Sequence, residues 1–316
     1  MTSLINTHIP VLANEVIDNL WQSELGSRIY MDGTFGGGGY SKLLNEISEN
    51  QAQITACDLD ATTFENLLVN EVSSNNSANS IGIKFVNSNF CELITTFEDN
   101  SMAGIMLDLG FNSNQLITSN RGFSYLETED VLDLRYDINQ GIPLWQKFTK
   151  LRDDTILRNI IYEYSGEEMS ARVARSIFNK ISSGSPIYKV QDLVVVILEA
   201  IPAKFQKKQY SILSRIWQSL RIWTNNEFES LEEFLRIAPT KLVSRGRIAI
   251  VCFHSLEDKI VTKTMRNLAK PITIDEFGNT TANYKFLTPK AIKPTDKEIE
   301  ANPRSRSATL RIIERI

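Results

Sequence analysis

Apolar residues in this chain follow two periods, and the change from one to the other divides it. Arg28-Ile29-Tyr30-Met31-Asp32 is a short apolar run that stops at an acid and a glycine cluster, the mark of a strand ending in a turn. Ser41 to Ile47 then carries Leu43, Leu44 and Ile47 at helical spacing, and Gln53 to Asp58 reads as a second strand, again closed by an acid. Ile83 to Val86 and Met102 to Leu109 supply two more strands, and the polar stretch Ser73 to Ser80 reads as a surface loop. Strands alternating with helices predict an open, mainly parallel sheet.

From about Ile117 the strand period disappears. Thr155 to Tyr164, Ala171 to Ile181 and Val190 to Ala200 place apolar residues three and four apart, and Gly141-Ile142-Pro143 is the clearest turn among them. A long helical pattern runs from Ile216 to Leu235, and strands return only at Arg247 to Phe253 and Ala308 to Ile313. The expected architecture is an α/β sheet domain, residues 1–110 and 219–316, interrupted by an all-helical insertion, residues 111–218. No internal repeat is present.

Composition narrows the class. At 316 residues and 42% hydrophobic content the chain can build a substantial core. A net charge of -4 means that any nucleic-acid surface is local, not global. Three cysteines without a C-x-x-C pair and two histidines argue against a structural metal, so none is expected. The first residues lack a basic segment followed by an apolar one, and the aliphatic stretch Leu193 to Leu198 is too short to span a bilayer; a cytoplasmic protein is expected.

The chemistry gathers at the predicted strand tips. Asp32-Gly33-Thr34-Phe35-Gly36-Gly37-Gly38-Gly39 lies between strand and helix, where glycines let backbone amides approach a nucleotide-like ligand. Asp58 closes the next strand about twenty residues on, a position suited to accepting ribose hydroxyls, with Asp60 a close competitor. This pairing serves a nicotinamide enzyme as well as an adenosylmethionine enzyme. Asp108, ending the fourth strand where a methyl donor and acceptor would meet, favours the second reading. An NAD-dependent oxidoreductase would also need a third glycine where Ser41 stands.

The sequence resembles the 16S rRNA cytosine-N4 methyltransferases, the RsmH or MraW family. Matching segments run in order over almost the whole chain: His8 to Leu12, Asp32 to Gly36, Leu107 to Gly110, Gln115-Leu116, Arg121 to Ser124, Leu132 to Arg135, Ser165 to Glu168, Arg221 to Trp223, Phe253 to Asp258 and Asn302 to Ser307. The FHSLED and NPRSRS stretches are far more specific than a glycine loop. The resemblance implies a Rossmann-like S-adenosylmethionine methyltransferase domain with a helical insertion that helps hold RNA, acting on a cytidine of 16S rRNA in the 30S subunit. It leaves a homodimer open. Implied S-adenosyl-L-methionine contacts fall on Gly38, Gly39 and Tyr40, beside Gly36 of the same turn, and on Asp58, Phe90, Asp108 and Gln115. Two departures stand out. Tyr40 replaces the family's histidine, and Ser211 to Gln218 keeps Arg215 and Gln218 of the family pattern but not its histidine and proline. These departures keep a second reading open, a catalytically weak RNA-binding assembly factor.

Methyl transfer from a sulfonium demands mainly in-line geometry and acceptors for the amine's developing charge. Asp108 is the first candidate acceptor, Asn112 and Ser113 just beyond it are placed to orient a base edge, and His254 is a second proton acceptor or a cap on the turn after a buried strand. From Ala200 to Thr224 there is no acid, while Lys204, Lys207, Lys208, Arg215 and Arg221 interleave with Tyr210, Trp217 and Trp223. Such a stretch suits RNA, although Trp217 and Trp223 at helical spacing also suit a core face. Arg304 and Arg306 lie in a second basic segment near the C-terminus.

Overall fold

The computed structural model describes residues 10–61, 63, 82–110, 119–274 and 280–316. They form two compact units, Met1–Gly110 with Phe228–Ile316, and Phe111–Glu227.

The first unit is built on a seven-stranded sheet. Helix α1 (Ala13–Leu20) precedes β1 (Ile29–Asp32), followed by α2 (Gly39–Ile47), β2 (Gln53–Asp58), β3 (Ile83–Asn87), α3 (Phe90–Thr95) and β4 (Met102–Asp108). After the inserted unit come α9 (Glu227–Lys241), β5 (Leu242–Cys252), α10 (Ser255–Leu268), the small pair β6 (Thr273–Ile274) and β7 (Thr280–Thr281), β8 (Tyr284–Phe286), α11 (Asp296–Ala301) and β9 (Thr309–Arg315). The sheet order is β3-β2-β1-β4-β5-β9-β8, parallel from β3 to β5 and antiparallel at β9 and β8. Such an order reverses direction beside β1, and ligands bind α/β sheets beyond the strand ends at that reversal.

Side-chain alternation explains why both faces are covered. Along β5, Ile248, Ile250 and Cys252 enter one core with Met31, Cys57, Leu107 and Phe234, whereas Ala249 and Val251 enter the other with Tyr30, Ile54, Leu44 and Ile17. Burial on both sides is what the uninterrupted apolar runs of parallel strands encode. The β5 pattern is visible in sequence only from Arg247 because the pairing with β4 slips from Met102↔Leu242 to Gly104↔Arg247, a bulge that breaks the alternation.

The second unit is helical. Its helices are α4 (Leu144–Thr149), α5 (Thr155–Ser165), α6 (Ser170–Ser182), α7 (Val190–Ala200) and α8 (Gln209–Asn225), packed on Leu157, Ile161, Val173, Ile177, Leu193, Ile197, Leu213 and Leu220. α7 begins where Asp192 accepts the Tyr188 and Lys189 amides at 3.0 and 2.8 Å. Two expectations change here. A boundary at residue 219 falls inside α8, and the chain returns to the sheet at Phe228. The pattern Ile216 to Leu235 is two helices, because Asn226 adopts a left-handed conformation (φ 51°) that stops α8. The expected loop Ser73 to Ser80 lies outside the described residues.

Candidate cofactor and active site

Three acids close three adjacent strands. Asp32 ends β1, and its register partners are Ala56 on β2 and Met106 on β4, so Asp58 and Asp108 each stand two residues further along their strands. The turn after β1 is tied to both neighbours. Gly33 donates its amide to Met106 O at 3.0 Å and Phe35 donates to Cys57 O at 2.9 Å. The Gly36 amide reaches Asp58 Oδ2 at 2.8 Å, and the Asp108 amide reaches Thr34 Oγ1 at 2.6 Å. A side chain at Gly33 would put its Cβ 2.3 Å from Leu107 Cδ2, and Gly38 holds φ 73° to turn the chain into α2, so glycine is required at both. The α2 N-terminus has no side-chain cap, which leaves its first-turn amides directed at whatever lies beyond the strand tips.

Each acid has its own environment. Asp32 is buried, accepts Ser41 Oγ at 2.6 Å and the Thr34 amide at 3.3 Å, and burial pushes its carboxyl up to about 6. Asp58 accepts the Gly36 and Asp60 amides, and burial likewise pushes it up to about 6. Asp60 serves Asp58 through its backbone, so Asp58 is the acid joined to the glycine turn. Asp108 is held well above the usual carboxylate range by burial and then by the charge of Asp32, and its Oδ1 is buried without a hydrogen-bond partner among the described residues. A buried polar atom of this kind is costly unless something pairs with it. The Tyr40 hydroxyl donates to Val11 O and stands beside Asp108; burial and that neighbouring charge push the phenol well above its ordinary range.

Two further residues border the same strand ends. Phe90 is the first residue of α3, fixed by the Asn89 cap; its Cβ lies 3.0 Å from where a Gly33 Cβ would stand, and its ring meets Phe234 edge to face at 5.4 Å. His254 caps α10 just beyond β5, which pairs with β4 at Asp108↔Val251. Its Nδ1 accepts the Glu257 amide at 3.4 Å, and Glu257 Oε2 accepts the Phe253 and His254 amides at 2.8 and 3.3 Å. The His254 Nε2 lies 2.9 Å from Glu257 Oε1 but makes no aligned hydrogen bond. His254 is therefore a cap whose Nδ1 lone pair is already engaged. Asn112, Ser113 and Gln115 lie outside the described residues.

A family model described as the MraW methylase family matches residues 5–316. The chain belongs to this family. A ribosomal RNA small subunit methyltransferase H of a Nostoc species is 38% identical over 313 residues, covering 98% of this chain and 93% of that protein. The enzymes of the same name from Trichormus variabilis and Trichodesmium erythraeum are 37% and 35% identical, covering 98% of this chain and 92% and 99% of theirs. Members of the MraW family use S-adenosylmethionine, and the oxidoreductase alternative falls with this membership.

The residues expected to meet RNA separate into two groups. Lys207 and Lys208 are exposed at the end of the short turn Ala203–Lys208, and Arg304 and Arg306 are exposed on the turn Pro303–Ser307. The other three are engaged inside the helical unit. Trp217 is buried, and its indole N–H donates to Gly122 O at 2.9 Å, so it offers no stacking face. Arg221 is buried against Glu227 through bonds of 2.8 and 2.9 Å. Arg215 grips the buried Glu167 with Nε at 3.0 Å and Nη2 at 2.5 Å. The expectation that Trp217 and Arg221 contact RNA is corrected on these grounds: both side chains are consumed by the fold.

Sequence reading passed over Thr34 and Glu257. Glu257 had a usable signal, since an acid three residues after a capping position and before an apolar helix is the capping-box pattern. Thr34 had none, because its partner is 74 residues away. Among the described residues no group of three His, Cys, Asp or Glu is arranged to hold a metal, and no helix is long and apolar enough to cross a membrane.

Proposed function

We propose that this protein transfers the methyl group of S-adenosylmethionine to the exocyclic N4 amine of a cytidine in 16S rRNA of the small ribosomal subunit, in the cytoplasm. The observation that carries the reading is the Oδ1 of Asp108, unpartnered among the described residues and buried where the tips of β1, β2 and β4 converge on the glycine turn.

The residues present fit the cofactor. Two carboxylates with raised proton affinity suit a ligand bearing positive charge and ribose hydroxyls, and the uncapped start of α2 suits its carboxylate. Asp58 would accept the ribose hydroxyls through the lone pairs its backbone donors leave open. Gly36, Gly38, Gly39 and Tyr40 would border the amino-acid end, with Phe90 against the adenine and Gln115 completing the contacts. When bound, S-adenosylmethionine supplies a methyl group already activated on a sulfonium.

The remaining work is positioning and proton handling. Asp108 Oδ1 would accept a hydrogen bond from the cytosine amine, favour its pyramidal form, and take the proton released as the N–C bond forms. Its raised proton affinity suits that role. Asn112 and Ser113 would orient the base edge. His254, engaged through Nδ1 at the α10 cap, is assigned to positioning and not to proton transfer. The sheet unit holds the cofactor; exposed Lys207 and Lys208 of the helical unit would contact RNA phosphate, and so would exposed Arg304 and Arg306 of the sheet unit. The target cytosine must leave its stack to reach the amine-accepting oxygen.

Purified protein is incubated with S-adenosylmethionine and small subunits from cells lacking it, and 16S rRNA fragments are weighed by mass spectrometry. One N4-methylcytidine is expected. Cofactor binding without any methylated fragment would instead support the assembly-factor reading, which draws on Tyr40 spending its hydroxyl on Val11 O.

A further inference from the structure

The outward face of α10 is basic along its whole length. Its buried side is Glu257, Val261, Thr262 and Met265, and its exposed positions include Lys259, Lys263 and Arg266, with Lys270 exposed in the turn that follows. Spacings of four, three and four residues place these cations within an arc of about 60° at 3.6 residues per turn. We propose that this stripe binds the phosphate backbone of the substrate RNA, a contact that rests on the rRNA methyltransferase reading given above.

Two observations carry it. Among the described residues none of the four cations forms an ion pair. The acids of α10 itself are withdrawn: Glu257 is buried, and Asp258 is held by Arg311 at 2.6 and 2.9 Å. Asp275 and Glu276, further along the chain, lie outside the described residues.

Helix stability accounts for only part of the pattern. Arg266 and Lys270 sit where a helix C-terminus favours cations, but Lys259 and Lys263 lie before the last turn, where the helix dipole gives no such benefit. A phosphate partner accounts for all four. From Lys259 to Lys270 the stripe extends about 16 Å at 1.5 Å per residue, long enough to follow several nucleotides.

Position relative to the site agrees. α10 starts at His254, beside the strand end that pairs with Asp108, and packs against β8. An RNA strand whose target base enters at Asp108 would meet the stripe as it leaves along the sheet unit. The contact is to phosphate, so it supplies affinity and register, not base choice.

The test compares wild type with K259E/K263E/R266E/K270E and with the corresponding glutamine set, using small subunits and naked 16S rRNA as probes. Each phosphate contact contributes about 0.7 to 0.9 to the slope of log affinity against log salt, so the slope should fall by about 3 in both sets. KM for small subunits should rise at least about tenfold, with kcat at saturation and S-adenosylmethionine affinity within about twofold of wild type. An unchanged slope and KM in a folded variant overturns the proposal. So does loss with glutamate but not glutamine, which would be repulsion alone, or loss toward subunits but not naked RNA, which would place a ribosomal protein on the stripe. If wild type itself neither binds nor methylates small-subunit RNA, the functional reading falls and takes this surface with it.

Discussion

Thr34 Oγ1 accepts the backbone amide of Asp108 at 2.6 Å, so the turn after β1 and the tip of β4 are held as one body. Replacing Thr34 by valine keeps the shape and leaves that amide unpaired, which should destabilise the protein by about 1 to 3 kcal/mol and weaken cofactor binding several-fold. Thr34→Ser should retain most of both. Urea unfolding and titration calorimetry on the two variants check this; equal behaviour of valine and serine would sever the link.

Asp108→Asn should separate stability from activity. The carboxylate it replaces is buried with one oxygen unpaired among the described residues, so the amide should leave the melting temperature of the ligand-free protein unchanged or higher. Methyl transfer should drop by at least about a hundredfold, the usual scale for losing a positioned proton acceptor. Single-turnover methylation near the wild-type rate would assign the acceptor role elsewhere.

Acid should stabilise this site and alkali should not. Asp32 and Asp58 ionise near 3.8 in the unfolded chain and near 6 in the folded one. Between about pH 4 and 6 the folded protein keeps protons that the unfolded chain has lost, so their contribution to stability declines as pH rises through that window and is level above it. Chemical denaturation from pH 4.5 to 7.5 should show a shallower decline in Asp32→Asn than in wild type. S-adenosylmethionine, which carries positive charge, should bind more tightly as the same two acids ionise, and calorimetry at pH 5.5 and 7.5 should show it.

The pair Arg215 and Glu167 should respond asymmetrically. Glu167 is buried while the Arg215 side chain is 44% exposed. Arg215→Ala strands a buried carboxylate and should cost about 3 kcal/mol or more, whereas Glu167→Gln frees a guanidinium that water can solvate and should cost less. Thermal melts of both variants decide it. The reverse ranking would mean that Arg215 is held for RNA and not for the fold.

The strands and their acids were legible because each signal is local. A parallel strand buried on both faces is an apolar run, and the residue ending it is readable where it stands, as with Asp32, Asp58 and Asp108. The helix break at Asn226 was not legible, because Leu231 and Leu235 continue the apolar spacing set by Ile216 and Leu220 across it. Arg221 shows the same limit for charge. Its sequence neighbourhood looks like an RNA surface, and only the folded chain reveals that Glu227 turns it inward. Composition records how many cations a segment has, not which way they face.

Strands β4 and β5 lie side by side although the entire helical unit is threaded between them in the chain. Bringing two distant segments together has an entropic cost that grows with the tether, and a tether already collapsed into helices is effectively shorter. The inserted helices, rich in neighbouring contacts, should therefore gain structure ahead of the parallel pair whose ends they connect. Pulse-labelled hydrogen exchange would register that order as early protection at Leu157 and Ile197 and late protection at Ile248 and Ile250. The inserted unit would thus act as an internal chaperone for the sheet.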